Sequence, residues 1–219
     1  MAFFKKHSNT ELPTYWLNYV SRFPEQKEHP IPDQFVVLDT ETTGFDITKD
    51  RIVSIGCVTV KQNEIKVSAS LELYIKQDLV NGKAIEIHGI LNNRDMSMLS
   101  EDQAIEIFLD YIGSSVIVMH HAEFDLGMLN QVLLRRGMPK LKNPYLDTNQ
   151  LYRATRIKSN LIDMNKKYKL DEIADNMDID LRDRHTAVGD ALITAIILMK
   201  CMAELNKRHL LSLKELQNL

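Results

Sequence analysis

The sequence predicts a mixed α/β fold, a five-stranded sheet flanked by helices, and three observations carry that reading. Residues 34–39 (QFVVLD) form an apolar run rich in β-branched residues and free of Gly and Pro, as a buried strand requires. Arg51 to Lys61 and Ile65 to Ile75 repeat the pattern, joined by a Gln62-Asn63-Glu64 turn. From residue 101 onward helical periodicity alternates with short apolar runs. Successive strands that give way to strand–helix alternation mean a mixed sheet with helices on its faces. Ligands in such sheets sit at strand ends near the switch in strand order.

Taken in order, residues 10–23 (TELPTYWLNYVSRF) carry aromatic and aliphatic side chains three to four apart behind Thr10 as N-cap, and predict a short amphipathic helix. Tyr15, Trp16 and Tyr19 on it are expected to cover the main domain's own apolar surface rather than to dock a partner. The link PEQKEHPIPD is the best boundary in the chain. It divides an N-terminal helical extension (1–32) from the main domain (33–208), with 209–219 as a short C-terminal tail. Within the domain, Ser100 caps a helix over Glu101 to Ile112, and a buried strand runs from Val116 to Met119. The next helix spans about Phe124 to Arg136 and is stopped by Gly137 and Pro139. A strand over Tyr145 to Asp147 precedes helices over Thr148 to Arg153 and Leu170 to Met177. The last helix spans Ala187 to Asn206. Its most apolar run, Ala191 to Met199, is too short to cross a bilayer.

At 219 residues the chain is one large domain, or a domain with an appendage, and long enough to bury a full core. Its 44% hydrophobic and 26% charged composition is that of a soluble globular protein. A net charge of −3 gives no global attraction to nucleic acid, so polyanion binding must come from local basic patches and bound metal. Cys57 and Cys201 are too few for a disulfide framework and lack metal-ligand spacing; free thiols in a reducing cytosol are expected. The first residues show neither a long apolar stretch nor a cleavage site, which predicts a cytoplasmic protein with no membrane partner.

Three separated segments carry chemistry. Asp39 and Glu41 stand two apart at the end of the first strand, so both point to one face, about 6.5–7 Å apart along the chain. Solvated acids at a strand end would look similar. Here, however, Thr40, Thr42, Thr43 and Gly44 make a small, hydroxyl-rich turn that a phosphate or sugar could approach. Asp125 follows the strand VIVM through HHAEF, in the first turn of the next helix, where capping and ligation can coexist. His120 and His121 beside it leave both roles open: a histidine next to a buried strand is more often a packing residue than a metal ligand, and neither is assigned to the metal. His185 and Asp190 frame the start of the final helix, and histidine is the side chain best suited to take a proton near neutral pH. One carboxylate pair proves little; the three segments together form a set suited to hard divalent cations and phosphodiester chemistry.

These residues bring a resemblance into view. VVLDTETTGFD, HHAEFDLGML and HTAVGDALIT are similar, in this order, to the three motifs of the DEDDh exonucleases, and IHGI at Ile87 to Ile90 to a further segment bordering their nucleotide pocket. The resemblance is greatest to the epsilon-like proofreading exonucleases of bacterial DNA polymerase III and covers about residues 33 to 205. It implies a ribonuclease-H-like fold and a metal-dependent 3′→5′ exonuclease that releases nucleoside 5′-monophosphates from single-stranded DNA 3′ ends. Proofreading in DNA replication, or repair, is the implied setting, with a DNA polymerase as partner. Asp39, Glu41, Asp125 and Asp190 would hold two Mg²⁺ or Mn²⁺ ions and His185 would act as base. Thr40, Glu41, Thr42, Phe45, His88 and His185 would contact the terminal nucleotide. One departure is visible: His121 stands where the family usually has Asn. The stretch from Arg153 to Lys169, with Arg156, Lys158, Lys166 and Lys167 against Asp163, is as well explained by a solvated face as by binding upstream phosphates. Tyr152 and Tyr168 could stack on bases or pack in the core. An RNA-trimming exonuclease is the alternative within enzymes, and a non-catalytic nucleic-acid-binding or polymerase-associated module the alternative outside them.

Overall fold

The computed structural model describes residues 12–24, 32–77, 97–156, 166–207 and 212–219. Among these, α1 spans Thr14–Ser21, β1 Gln34–Thr42, β2 Ile52–Lys61, β3 Glu64–Ile75 and β4 Met98–Leu99. They are followed by α2 (Glu101–Ile112), β5 (Val116–Met119), α3 (Ala122–Arg135), β6 (Tyr145–Asp147), α4 (Thr148–Thr155), α5 (Leu170–Asn176), α6 (Ala187–Asn206) and α7 (Leu213–Gln217).

The strands form one mixed sheet in the order β4-β3-β2-β1-β5-β6. The β1–β2 and β2–β3 pairs are antiparallel, whereas β1–β5, β5–β6 and β3–β4 are parallel. The five expected strands are all present, and the two-residue β4 adds a sixth at the edge. Period-two alternation divides the sheet residues between two cores. Phe35, Val37, Val58, Val60, Val116 and Val118 face α4, α5, α6 and α7, while Val36, Leu38, Ile55, Cys57, Ile117 and Met119 face α1, α2 and α3. Helix α6 is buried on nearly every side, between the sheet and α4 and α5. It is therefore apolar all round, as a core helix must be. No helix among the described residues is long and apolar enough to cross a membrane.

Local chemistry explains the boundaries. The Ser100 hydroxyl accepts from Gln103 N–H at 3.2 Å while the Gln103 side chain accepts from Ser100 N–H at 3.0 Å, a reciprocal cap for α2. The residues expected to form a tail contain α7. Ser212 and Glu215 cap its start in the same way, and Leu213 and Leu216 are buried. Cys57 and Cys201 are both free and buried, as expected.

Helix α1 starts at Thr14, later than the spacing suggested; Thr10 lies outside the described residues. Trp16 and Tyr19 are buried in the core that covers α2 and α3. Tyr19 also makes a polar anchor: its hydroxyl donates to Asn143 Oδ1 at 2.6 Å and accepts from Lys142 N–H at 2.8 Å. Asn143 in turn donates to the carbonyls of Gly113 and Ser115 at 3.0 and 2.7 Å, so α1 is tied to the segments that lead into β5 and β6. Tyr19→Phe should therefore cost about 1–3 kcal/mol, since it leaves a buried amide N–H and a carbonyl-type oxygen unpaired. Urea denaturation measures this directly, and an unchanged midpoint would show that the anchor contributes nothing.

Candidate active site

Asp39 and Glu41 lie inside β1, which runs on to Thr42 rather than ending at Asp39. Alternation puts Asp39 on the face of Phe35 and Val37, the face covered by α6. Thr186 caps α6 by accepting from Gly189 N–H at 3.1 Å, and Asp190 follows in the first turn, 4% exposed. One carboxylate oxygen from each of Asp39, Glu41 and Asp190 lies within 4.8 Å of those of the other two.

What allows this approach is Gly56. It pairs with Asp39 across the β1–β2 ladder, and a Cβ built on it would meet the backbone of Ala187 and Val188 at 2.1 Å. The first turn of α6 rests directly on the strand, a spacing only glycine permits. An isolated glycine inside a strand pattern is the signal that sequence reading passed over.

Asp125 occupies a different position. Pairing between β1 and β5 ends at Val37–Val118, which leaves the edge of β1 open at Thr40. Asp125, buried in the first turn of α3, closes that edge. Its Oδ1 accepts from Thr40 N–H at 3.0 Å and from the Thr40 hydroxyl at 2.6 Å. It therefore stands beside the three-acid group rather than within it, with its second oxygen uncommitted to Thr40. Thr40, expected among the nucleotide contacts, is itself buried, and its hydroxyl is spent on Asp125.

The corner carrying Asp125 is fixed by Asp147, a residue the sequence did not single out beyond its strand. Asp147 accepts from His121 N–H and Ala122 N–H, both at 3.2 Å, and caps α4 through Asn149 N–H at 2.8 Å. His121 has φ 57°, a left-handed conformation that Asn and His tolerate better than most residues. That accounts for a histidine where asparagine is usual. His120 uses both ring nitrogens, on the Thr148 hydroxyl (3.0 Å) and the Tyr168 carbonyl (2.9 Å), and burial pushes its pKa down to about 4. It is a packing residue, as expected.

His185 sits on the turn before α6 at φ 68°, its side chain exposed and its N–H 3.4 Å from Asp190 Oδ1. Phe45 is 85% exposed and leans on Phe124, ring centroids 6.0 Å apart, while the Thr42 hydroxyl donates to the Gly44 carbonyl at 2.8 Å. His88 and the IHGI segment lie outside the described residues, as do Lys158 and Asp163. Tyr152 and Tyr168 are buried and pack edge to face at 5.0 Å, which assigns them to the core rather than to base stacking. Lys166 lies over the Tyr168 ring and pairs with Glu172.

The electrostatics are those of an acid cluster that could hold a cation. Burial, then the charges of Asp125, Asp190 and Glu41, hold Asp39 well above the usual carboxylate range. Burial and Asp190 push Glu41 up to about 7. Burial raises Asp125 to about 7 against the opposing hydrogen bonds from Thr40, and burial raises Asp190. All-oxygen donors, crowded and carrying more negative charge than the neighbouring Arg184 offsets, suit a small divalent cation. Opposite ligands of such an ion stand about 4.2 Å apart at a metal–oxygen distance of about 2.1 Å, close to the span found here.

Such a group near strand ends of a mixed sheet fits the class of metal-dependent nucleases. The chain belongs to the exonuclease family, whose model matches residues 36–198. It is 37% identical over 171 residues to DNA polymerase III PolC-type of Clostridium perfringens, covering 78% of this chain and 11% of that protein. It is 29% identical over 181 residues to DNA polymerase III subunit epsilon of Aquifex aeolicus, covering 83% of this chain and 86% of the relative. The chain thus spans about a tenth of the PolC-type relatives and most of the epsilon one. In fold it is similar to Exonuclease X in complex with 5′ overhanging duplex DNA, with a TM-score of 0.60 at 21% identity over 84% of this chain and 98% of that one. E. coli Exonuclease I in complex with a dT13 oligonucleotide gives a TM-score of 0.65 at 16% identity, over 81% and 42%.

Two expected outcomes follow from this geometry. Gly56→Ala should force the first turn of α6 off the sheet, costing about 1–3 kcal/mol of stability and weakening divalent-cation binding measured by calorimetry; unaltered values would mean that α6 tolerates displacement. The second concerns pH. Acids whose pKa is raised on folding favour the native state at low pH, and that contribution is lost as pH rises through the folded values near 7. His120 works in the opposite sense, but only below the ordinary histidine value of about 6.5. Between about pH 6.5 and 8, the melting temperature in EDTA should therefore fall, and a divalent cation should reverse the fall. A flat profile in EDTA would contradict the acid cluster.

Proposed function

We propose that this protein is a 3′→5′ exonuclease that removes nucleoside 5′-monophosphates from the 3′ ends of single-stranded DNA, using two Mg²⁺ or Mn²⁺ ions. The observation that carries the reading is the convergence of Asp39, Glu41 and Asp190 within 4.8 Å, with His185 at the rim. Asp39, Glu41 and Asp190 hold the ions, and Asp125 completes the set through the oxygen that Thr40 leaves uncommitted. Ions bound by these residues would supply acidification of a water and charge stabilisation at the leaving 3′ oxygen. His185, exposed beside Asp190, takes the proton from that water. Phe45, exposed on the turn after β1 and backed by Phe124, offers a face for the terminal base or sugar, with Glu41, Thr42 and His88 as further contacts.

DNA is favoured over RNA because the relatives are named for DNA polymerase III and the similar structures hold DNA. The epsilon relative is by name a polymerase subunit, which supports a DNA polymerase as partner and proofreading or repair as the setting. The exonuclease domain is assigned to residues 33–208, after the helical extension and before the C-terminal segment. Buried free thiols at Cys57 and Cys201 fit a reducing cytoplasm.

A single-stranded DNA oligonucleotide carrying a 5′ label tests the reaction. The wild type should shorten it stepwise from the 3′ end, only with Mg²⁺ or Mn²⁺, and Asp39→Ala and Asp190→Ala should reduce the rate to background while folding normally. His185→Ala should slow cleavage by about 10²–10⁴-fold with cation binding retained. Undiminished cleavage by either aspartate variant, or faster cleavage of a matched RNA, would refute the assignment.

A further inference from the structure

Arg184 stands in the turn before α6, one residue ahead of His185, and was not among the expected site residues. Its guanidinium is shared between two carboxylates. Nε donates to Asp171 Oδ1 of α5 at 2.6 Å, with a looser contact from a terminal nitrogen to Asp171 Oδ2 at 3.4 Å. The other terminal nitrogen donates to Asp190 Oδ2. The side chains of Arg184 and Asp190 are only 21% and 6% exposed, so solvent screens this pair weakly, whereas Asp171 is 49% exposed. Among the described residues, Arg184 is the basic side chain whose charge acts on Asp39, Glu41 and Asp190 alike.

Any cation held by the three acids must draw on the carboxylate that Arg184 already engages. A guanidinium and a divalent ion on one carboxylate repel each other, and each weakens the field the other feels. Arg184 can yield because it has a second anchor. The planar fork that grips Asp190 also grips Asp171 through different nitrogens, so release from one leaves it held by the other.

We propose that Arg184 is an exchangeable counter-cation of the acid cluster, displaced from Asp190 when a divalent ion binds and kept beside the site by Asp171. The inference rests on reading Asp39, Glu41 and Asp190 as the cation site. Its consequence is a thermodynamic cycle. Arg184 stabilises the metal-free protein and opposes metal binding by the same amount, so the loaded protein gains little from it.

The test uses the full chain without nucleic acid. Mn²⁺ binding is followed by calorimetry, and thermal melting is recorded in EDTA and in saturating Mn²⁺. Arg184→Gln should bind Mn²⁺ about three- to tenfold more tightly, the range of a partly exposed ion pair. It should melt below the wild type in EDTA, and by a smaller margin in Mn²⁺, where only the contact with the half-exposed Asp171 is still lost. Arg184→Lys keeps the charge but cannot span both aspartates, and should bind Mn²⁺ more tightly than the wild type by a smaller factor. It decides the matter should the glutamine variant not fold. Equal or weaker Mn²⁺ affinity in both variants, or a melting deficit as large in Mn²⁺ as in EDTA, overturns the proposal and leaves Arg184 as a brace for the turn. If the wild type itself binds no Mn²⁺, the cation-site reading falls with it, which separates the two failures.

Discussion

Carboxylates at the rim of an apolar core repel one another, and Asp39, Glu41 and Asp190 are nonetheless held within 4.8 Å. The constraint that keeps them there is steric. Helix α6 lies flush on β2 because Gly56 presents no side chain to the backbone of Ala187 and Val188. The apolar contacts of a 20-residue buried helix then oppose a repulsion localised in its first turn. Hydrophobic burial is spread over many side chains and is large in sum, so a few unfavourable charges can be carried at one end. The rest of the site is arranged around that forced approach.

The sheet separates two tasks by its pleat. On the α6 side stand the acids that converge. On the α3 side Thr40 carries Asp125, and Asp147 holds the corner from which Asp125 projects. Asp125 can thus satisfy an open strand edge with one oxygen and still present its charge to Asp39. The structural role that the sequence allows this residue falls on one oxygen, which leaves the other outside the Thr40 contacts.

Much of this was legible in the residues. The unbroken apolar run in QFVVLD foretold a buried strand, and Ser100 foretold the N-cap of α2. The three motifs pointed to the acids that meet. The rest depended on distances that no local pattern encodes. β4 is two residues long, too short for any periodicity, and α7 is one turn whose Ser212–Glu215 cap was present in the sequence but read as tail. The commitment of Thr40 to Asp125 follows from where β5 stops pairing with β1, a tertiary fact. Arg184 was hidden in a run of mixed charge, where nothing distinguishes a solvated arginine from one lodged between two aspartates.

The docking of α1 bears on how the molecule can be dissected. A boundary placed in the Pro-containing link would look natural by composition, yet a version starting after it would uncover the apolar surface now beneath Trp16 and Tyr19 and release Asn143 from one of its partners. Fusion or trimming at that point would turn a sealed flank into an adhesive one, prone to self-association. The first helix, though it precedes the domain's first strand, is laid like a shingle on its flank.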